Sequence, residues 1–180
     1  SSSSFDVIII GGGGAGFTAA IYTARAQLST LLFEKQVPGG QIATTDLVEN
    51  YPGFPDGIVG PEIAQRMEQQ AQRYGTRFAY DEVIALSKKG DLFQVETTQK
   101  QYTSKTVILA MGASFRKLNI PNEKELTGKG VSYCATCDGA FFKNKEVVVV
   151  GGGDSALQEG LFLTRFANKV TVIHRRNKLR

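Results

Sequence analysis

The sequence predicts an α/β fold built from two copies of one strand-helix-strand unit, and three observations carry that prediction. Two apolar runs, residues 5–10 (interrupted only by Asp6) and 147–150, end in glycine clusters at residues 11–16 and 151–153. Each cluster leads into a helix-compatible stretch and then a second short apolar run, at residues 31–33 and 170–173, which is the β-α-β order. Gly11 lies 23 positions before Glu34, and Gly151 lies 23 positions before His174, so the two units are built to one spacing.

The elements follow in order. Residues 5–10 are apolar apart from Asp6, as a strand buried on both faces requires, and residues 15–26 carry the Ala, Ile, Tyr and Arg of a helix. Residues 37–60 form a Gly/Pro-rich loop, and residues 61–74 a helix opening on proline. Alternating stretches at residues 78–86 and 92–98 predict antiparallel strands, and residues 106–111 a buried strand. Residues 112–121 read as a linker, which divides the chain into domains at residues 5–112 and 115–180. In the second, residues 147–150 and 170–173 are strands around an amphipathic helix at 156–166. One crossover helix covers only one face of a parallel sheet, so this second domain reads as truncated.

Composition narrows the function classes. A chain of 180 residues with 42% hydrophobic and 21% charged content has the profile of a folded domain, excluding disordered, collagen-like and coiled-coil readings. No apolar run approaches the roughly 18–20 residues of a membrane-spanning helix, so the chain is expected to be soluble with no membrane partner. The four opening serines lack the charged and apolar regions of a secretory signal and read as a disordered leader. Two cysteines are too few for a disulfide framework and point to redox or metal chemistry in a reducing compartment, by default the cytoplasm.

The net charge of +4 is unevenly placed. Arg165, Lys169, Arg175, Arg176, Lys178 and Arg180 supply six positive charges with no acid among residues 165–180, leaving 15 basic against 17 acidic residues elsewhere. A basic terminal segment on a slightly acidic body argues against a broad nucleic-acid face. It fits a local anion site or a solvated charge run.

Gly11-x-Gly13-x-x-Gly16 follows a strand and opens a helix. Gly11 permits the tight turn, Gly13 lets a pyrophosphate approach the backbone, and Gly16 allows close helix-strand packing, while the helix N-terminus offers free N–H groups. Glu34, ending the next strand, is placed to accept hydrogen bonds from a ribose. The second fingerprint, Gly151-x-Gly153-x-x-Ala156, has His174-Arg175-Arg176 at the position of Glu34. Guanidinium groups pair with a 2′-phosphate that a carboxylate would repel, so the first site favours an unphosphorylated ribose and the second NADP(H), with plain surface charge as the alternative. The fold class is therefore α/β with two Rossmann-like dinucleotide-binding domains.

Cys134-Ala135-Thr136-Cys137-Asp138 has two cysteines and a single histidine in the chain to draw on, short of the four ligands zinc usually takes, so no metal site is expected. A redox dithiol is the better reading, with Asp138 beside it to move the proton that thiol–disulfide exchange requires; inert buried cysteines are the alternative. His174 as a catalytic base has no support beyond its strand-end position.

Taken together, Gly11–Gly16 with Phe17-Thr18-Ala19-Ala20, Pro38-Gly39-Gly40-Gln41, Val48-Glu49-Asn50-Tyr51-Pro52-Gly53-Phe54-Pro55, Cys134–Asp138, Gly151–Ala156 and His174–Arg176 resemble the bacterial-type, low-molecular-weight thioredoxin reductases, over nearly all of residues 5–180. The resemblance implies a homodimeric flavoenzyme in which NADPH reduces FAD, the flavin reduces the disulfide, and the dithiol reduces thioredoxin. It assigns Gly11, Gly13, Ala15, Gly16 and Glu34 to the adenosine end of FAD, Gly39, Gly40, Gln41 and Asn50 to the flavin side, and Ala110 and Gly112 to a strand end near the cofactor. Gly153, Asp154, Ser155 and Ala156 would meet the NADPH pyrophosphate, and His174, Arg175 and Arg176 its 2′-phosphate. Cys134 and Cys137 would be the redox pair, Cys137 facing the flavin, with Asp138 as the acid.

Two positions depart from the family pattern: Gly14 stands where proline is frequent, and Met111 where threonine is usual. The family's remaining NADPH-domain strands and returning C-terminal segment have no counterpart in this sequence. Other functions that fit the residues are a related flavoprotein reducing a peroxiredoxin or small disulfide, and a non-catalytic nucleotide-binding fragment.

Overall fold

A computed structural model describes residues 3–45 and 47–179. The chain divides into two compact units between Ser114 and Phe115.

The first unit is a six-stranded sheet in the order β3 (Arg77–Tyr80), β2 (Thr30–Glu34), β1 (Ser4–Ile10), β6 (Gln101–Leu109), β5 (Leu92–Thr97) and β4 (Val83–Lys89). Its centre is β1, flanked in parallel by β2 and β6. Alternation along β1 sends Val7 and Ile9 to one face and Ile8 and Ile10 to the other. Val7 and Ile9 join Phe17, Ala20, Leu32 and Ala71 beneath two helices. Ile8 and Ile10 join Phe33, Val95 and Tyr102 on the opposite face.

Those helices are α1 (Gly14–Arg25) and α2 (Gly60–Arg73). In α1 the buried positions Phe17, Ala20 and Ala24 recur at helical spacing, and the helix stops where Gln27 turns to φ +60°. Burying Phe17 contributes roughly 2–3 kcal/mol. Helix α2 opens with Pro61 in its first turn and Glu62 at its positive end, and Gly75 at φ +95° follows its last turn.

Three expectations are corrected here. The stretch at residues 78–86 is not one antiparallel strand: β3 (Arg77–Tyr80) runs parallel to β2, and only β4 (Val83–Lys89) pairs antiparallel with β5 (Leu92–Thr97). The break falls at Asp81, whose carboxylate accepts from Glu82 N–H at 2.8 Å and from the Thr98 hydroxyl, turning the chain between sheet positions. Residues 106–111 are not buried: Leu109 and Met111 are 57% and 67% exposed, because β5 pairs with β6 only as far as Ser104 and leaves the strand's far end with one neighbour. Ser3 and Ser4 are also ordered, against the expected disordered leader. Ser4 begins β1, and Ser3 C=O accepts from Thr103 N–H at 2.8 Å, while residues 1 and 2 lie outside the described residues.

The second unit contains the short helices α3 (Glu123–Leu126) and α4 (Ala135–Asp138), then β7 (Glu146–Val150), α5 (Asp154–Leu163) and β8 (Lys169–Ile173). Strands β7 and β8 are parallel, with Val147 opposite Val170 and Val150 opposite Ile173. In the first unit Val7 faces Thr30 and Ile10 faces Phe33, so both pairs hold the 23-residue offset read from the sequence. Helix α5 lies along one face of this ribbon, and Val148, Val150 and Ile173 stay more than half exposed. Among the described residues no helix is long and apolar enough to cross a membrane.

Candidate functional site

Two glycine loops and one disulfide turn hold the residues singled out above. In the first loop Gly11 N–H donates to Phe33 C=O at 2.9 Å, tying the end of β1 to β2. Gly11 sits at φ +111°, and a Cβ there would lie 2.3 Å from the Ala110 carbonyl oxygen, so only glycine fits. A Cβ on Gly16 would fall 1.8 Å from the Gly11 carbonyl oxygen. Gly13 caps α1 with extended backbone, no capping side chain and no acid in the first turn, leaving the helix N-terminus open to an anion. Ala15 is exposed on that first turn.

The loop after β2 folds back onto this turn. Gly39 N–H donates to Gly12 C=O at 2.7 Å, and Gly39 and Gly13 form a β-bridge. A Cβ on Gly39 would strike Ala64 Cβ at 2.4 Å, and Gly40 lies against Gly13 Cα. Gln41 Nε2 donates to Ala113 C=O at 2.6 Å, and Ala110 N–H to Ile10 C=O at 2.8 Å. Thus Gly11, Gly13, Gly16, Glu34, Gly39, Gly40 and Ala110 gather at the carboxyl end of the parallel strands, where open α/β sheets bind ligands. Asn50 is not bonded to them: it lines an open cleft of about 370 Å³ with Tyr51 and Phe54. Gly112 is at φ +66° with open space around it.

Glu34 ends β2, and its carboxylate already has partners: Oε2 accepts from Gly12 N–H and Oε1 from Gln36 N–H, each at 2.8 Å. A carboxylate oxygen has two acceptor sites, so each still has one for a ribose hydroxyl.

The second loop repeats the plan more loosely. Gly151 N–H donates to Ile173 C=O at 2.9 Å, and Gly153 caps α5 with nothing within 4 Å of a Cβ placed on it. That open approach suits a pyrophosphate, although Asp154 adds an acid to the first turn, with Ser155 exposed beside it. Ala156 carries a Cβ where the first loop has Gly16, and a Cβ on Gly151 would meet it at 2.8 Å. The ring of His174 packs on Gly152, where a Cβ would lie 2.4 Å from its Cγ, and its Nε2 is buried without a hydrogen-bond partner. Arg175 and Arg176 are exposed and make no ion pair among the described residues.

The disulfide turn precedes the second loop. Cys137 and Asp138 N–H both donate to Cys134 C=O, at 3.2 and 3.1 Å, and this single helical turn closes Cys134 on Cys137 with their Cα atoms 5.3 Å apart. Cys137 is exposed and Cys134 half-buried. Four contributors were not identifiable from sequence spacing. Ser132 Oγ donates to Asp138 Oδ2 at 2.6 Å, Thr136 Oγ1 lies 3.4 Å from Cys134 Sγ, and Glu159 of α5 accepts from Ala135 N–H at 3.3 Å. The buried Glu123 accepts from the Tyr133 hydroxyl at 2.6 Å and from Leu118 and Asn119 N–H at 2.8 Å, while Phe115 stacks on the Tyr133 ring. These bonds hold the Glu123 carboxyl below its usual range, with Tyr133 the largest cause, and raise the Tyr133 phenol. A serine two residues before a turn is the one signal that could have flagged Ser132. Among the described residues no cluster of three or more His, Cys, Asp or Glu side chains is placed to hold a metal.

Strand, glycine turn and helix repeated at one register, with a C-x-x-C disulfide ahead of the second copy, define a two-unit α/β protein of Rossmann-like type that joins nucleotide-shaped loops to thiol chemistry. Sequence comparison agrees with that class. The chain belongs to the pyridine nucleotide-disulphide oxidoreductase family, which it matches over residues 5–180. It is 56% identical to the thioredoxin reductase of Bacillus subtilis over 98% of this chain and 55% of that protein. It is 53% identical to the bifunctional thioredoxin reductase/thioredoxin of Mycobacterium leprae over 97% of this chain and 38% of that protein. The crystal structure of thioredoxin reductase from Streptococcus pyogenes superposes with a TM-score of 0.94 at 48% identity, covering 100% of this chain and 58% of that one. The chain thus spans about half the length of the curated thioredoxin reductases it matches.

Proposed function

We propose that this chain carries the nucleotide-binding loops and redox dithiol of a thioredoxin reductase, passing electrons from NADPH through FAD to Cys134 and Cys137 and on to thioredoxin. The observation that carries the reading is the Cys134–Cys137 disulfide on a turn just ahead of the second β-α-β unit. Residues 5–112 form the FAD-binding part, and residues 115–180 the NADPH-binding part.

Gly11, Gly13, Ala15, Gly16 and Glu34 hold the adenosine end of FAD, where an uncapped helix N-terminus supports the pyrophosphate. Gly39, Gly40, Gln41, Asn50, Ala110 and Gly112 serve its flavin side. Gly153, Asp154, Ser155 and Ala156 receive the NADPH pyrophosphate, and His174, Arg175 and Arg176 its 2′-phosphate. Bound FAD supplies the step from a two-electron hydride donor to a disulfide, which neither NADPH nor a thiol performs readily alone. Asp138 moves the proton that dithiol chemistry requires.

Thioredoxin is the proposed partner, supported by the M. leprae relative whose name joins reductase and thioredoxin in one protein. The protein acts as a cytoplasmic homodimer. Replacing either Cys134 or Cys137 by serine tests the function: reduction of thioredoxin is lost while NADPH still bleaches the flavin. Unchanged disulfide turnover in either variant contradicts the reading.

A further inference from the structure

The redox turn contains a hydroxyl that no step above uses. Ser132 Oγ donates to Asp138 Oδ2 at 2.6 Å, and the same oxygen accepts from Cys134 N–H at 3.1 Å. No other hydrogen bond to the Asp138 side chain is present among the described residues. One hydroxyl therefore ties this carboxylate to the peptide N–H of Cys134, the half-buried cysteine of the pair. The other carboxylate at the turn, Glu159, is held differently, by Ala135 N–H.

From this bridge we infer that Ser132 is a positioning residue for dithiol exchange, holding the Asp138 carboxylate where it takes the proton of the Cys134 thiol. The inference rests on the redox-dithiol reading. In the step, the Cys134 proton passes to Asp138 and the thiolate attacks one sulfur of an incoming disulfide. That S–S bond breaks, and its second sulfur leaves as a thiolate that takes a proton from water. Cys137, its proton lost to water, then attacks Cys134 in the mixed disulfide, restoring the Cys134–Cys137 bond and expelling the first sulfur as a thiolate that takes the proton held by Asp138. Two electrons pass from the dithiol to the incoming disulfide.

A fixed donor is worth more than its hydrogen bond alone, because a general base must lie within hydrogen-bond reach of the proton it takes. The test uses the 180-residue chain with its disulfide reduced, and the rate constant for its reaction with dithionitrobenzoate at a fixed pH. Ser132→Ala and Ser132→Gly each slow the reaction about tenfold, and Ser132→Thr, which keeps the hydroxyl, stays within about twofold of the unmodified chain. Asp138→Asn slows it at least as much as Ser132→Ala, and adding Ser132→Ala to Asp138→Asn causes no further loss, since the two act as one unit. An unchanged rate in Ser132→Ala, multiplying losses in the double variant, or a threonine variant as slow as alanine overturns the assignment. Neither FAD nor NADPH enters this measurement, so a chain that failed to bind flavin would contradict the proposed function while leaving this result to stand or fall separately.

Discussion

The backbone N–H of Gly12 donates to Oε2 of Glu34 at 2.8 Å, so the acid ending β2 also fixes the glycine turn that follows β1. In the second unit the matching pair is Gly152 and His174, and there the ring stacks on the glycine with no hydrogen bond between them. One architecture thus sets a carboxylate at the end of its first β-α-β unit and an imidazole ring at the matching place in its second. Glu34→Ala removes both the proposed ribose acceptor and the brace on the loop. FAD affinity is expected to fall about tenfold, the loss of roughly one charged hydrogen bond, as read by fluorescence titration.

Gly16 and Gly153 separate packing from ligand approach. Gly16→Ala drives a Cβ into the Gly11 carbonyl and is expected to destabilise the first unit by more than about 3 kcal/mol in denaturant unfolding. Gly153→Ala meets no atom within 4 Å. Its unfolding midpoint is expected to stay close to that of the parent while its NADPH affinity falls, because the methyl group would occupy the proposed pyrophosphate approach.

Arg175 and Arg176 are exposed and make no ion pair among the described residues, as the proposed 2′-phosphate contact requires. Replacing either by alanine is expected to weaken NADPH roughly ten- to a hundredfold and leave NADH nearly unaffected, since a charge-assisted hydrogen bond contributes about 1.5–3 kcal/mol. Equal losses for the two nucleotides would remove the arginines from the phosphate site.

Glu123 links acid stability to the redox turn. Its carboxyl is held below the ordinary 4.5, first by the Tyr133 hydroxyl and then by Leu118 N–H. A depressed carboxyl contributes stability above its unfolded value and loses it as pH falls through the folded one. Glu123→Gln is therefore expected to lower stability at neutral pH and flatten the decline as pH falls below the ordinary carboxyl value, measured by denaturant unfolding from neutral into acid pH. A parallel decline in the two proteins would contradict the assignment.

The paired units were legible because parallel β-α-β geometry fixes the residue offset between strands, and the 23-residue spacing reappears as strand register in both. The glycine roles were legible for the same reason: Gly11 and Gly16 answer local steric demands that few other residues meet. Tertiary pairing hid the rest. Residues 78–86 alternate as an antiparallel strand does, yet the first few pair in parallel with β2, a choice made by distant neighbours. The apolar end of β6 reads as buried but pairs on one side only. Ser132, Thr136, Glu159 and Glu123 reach the redox turn through bonds spanning 2 to 24 positions, with no period to reveal them.

The central claim is that electrons entering from NADPH through FAD emerge on Cys134 and Cys137. The most direct measurement is an anaerobic thiol count on the FAD-loaded protein after addition of NADPH. The account predicts flavin bleaching accompanied by two new thiols per chain, and no disulfide-derived thiols when Cys137→Ser is treated in the same way. Flavin that bleaches while the Cys134–Cys137 disulfide stays closed would contradict it.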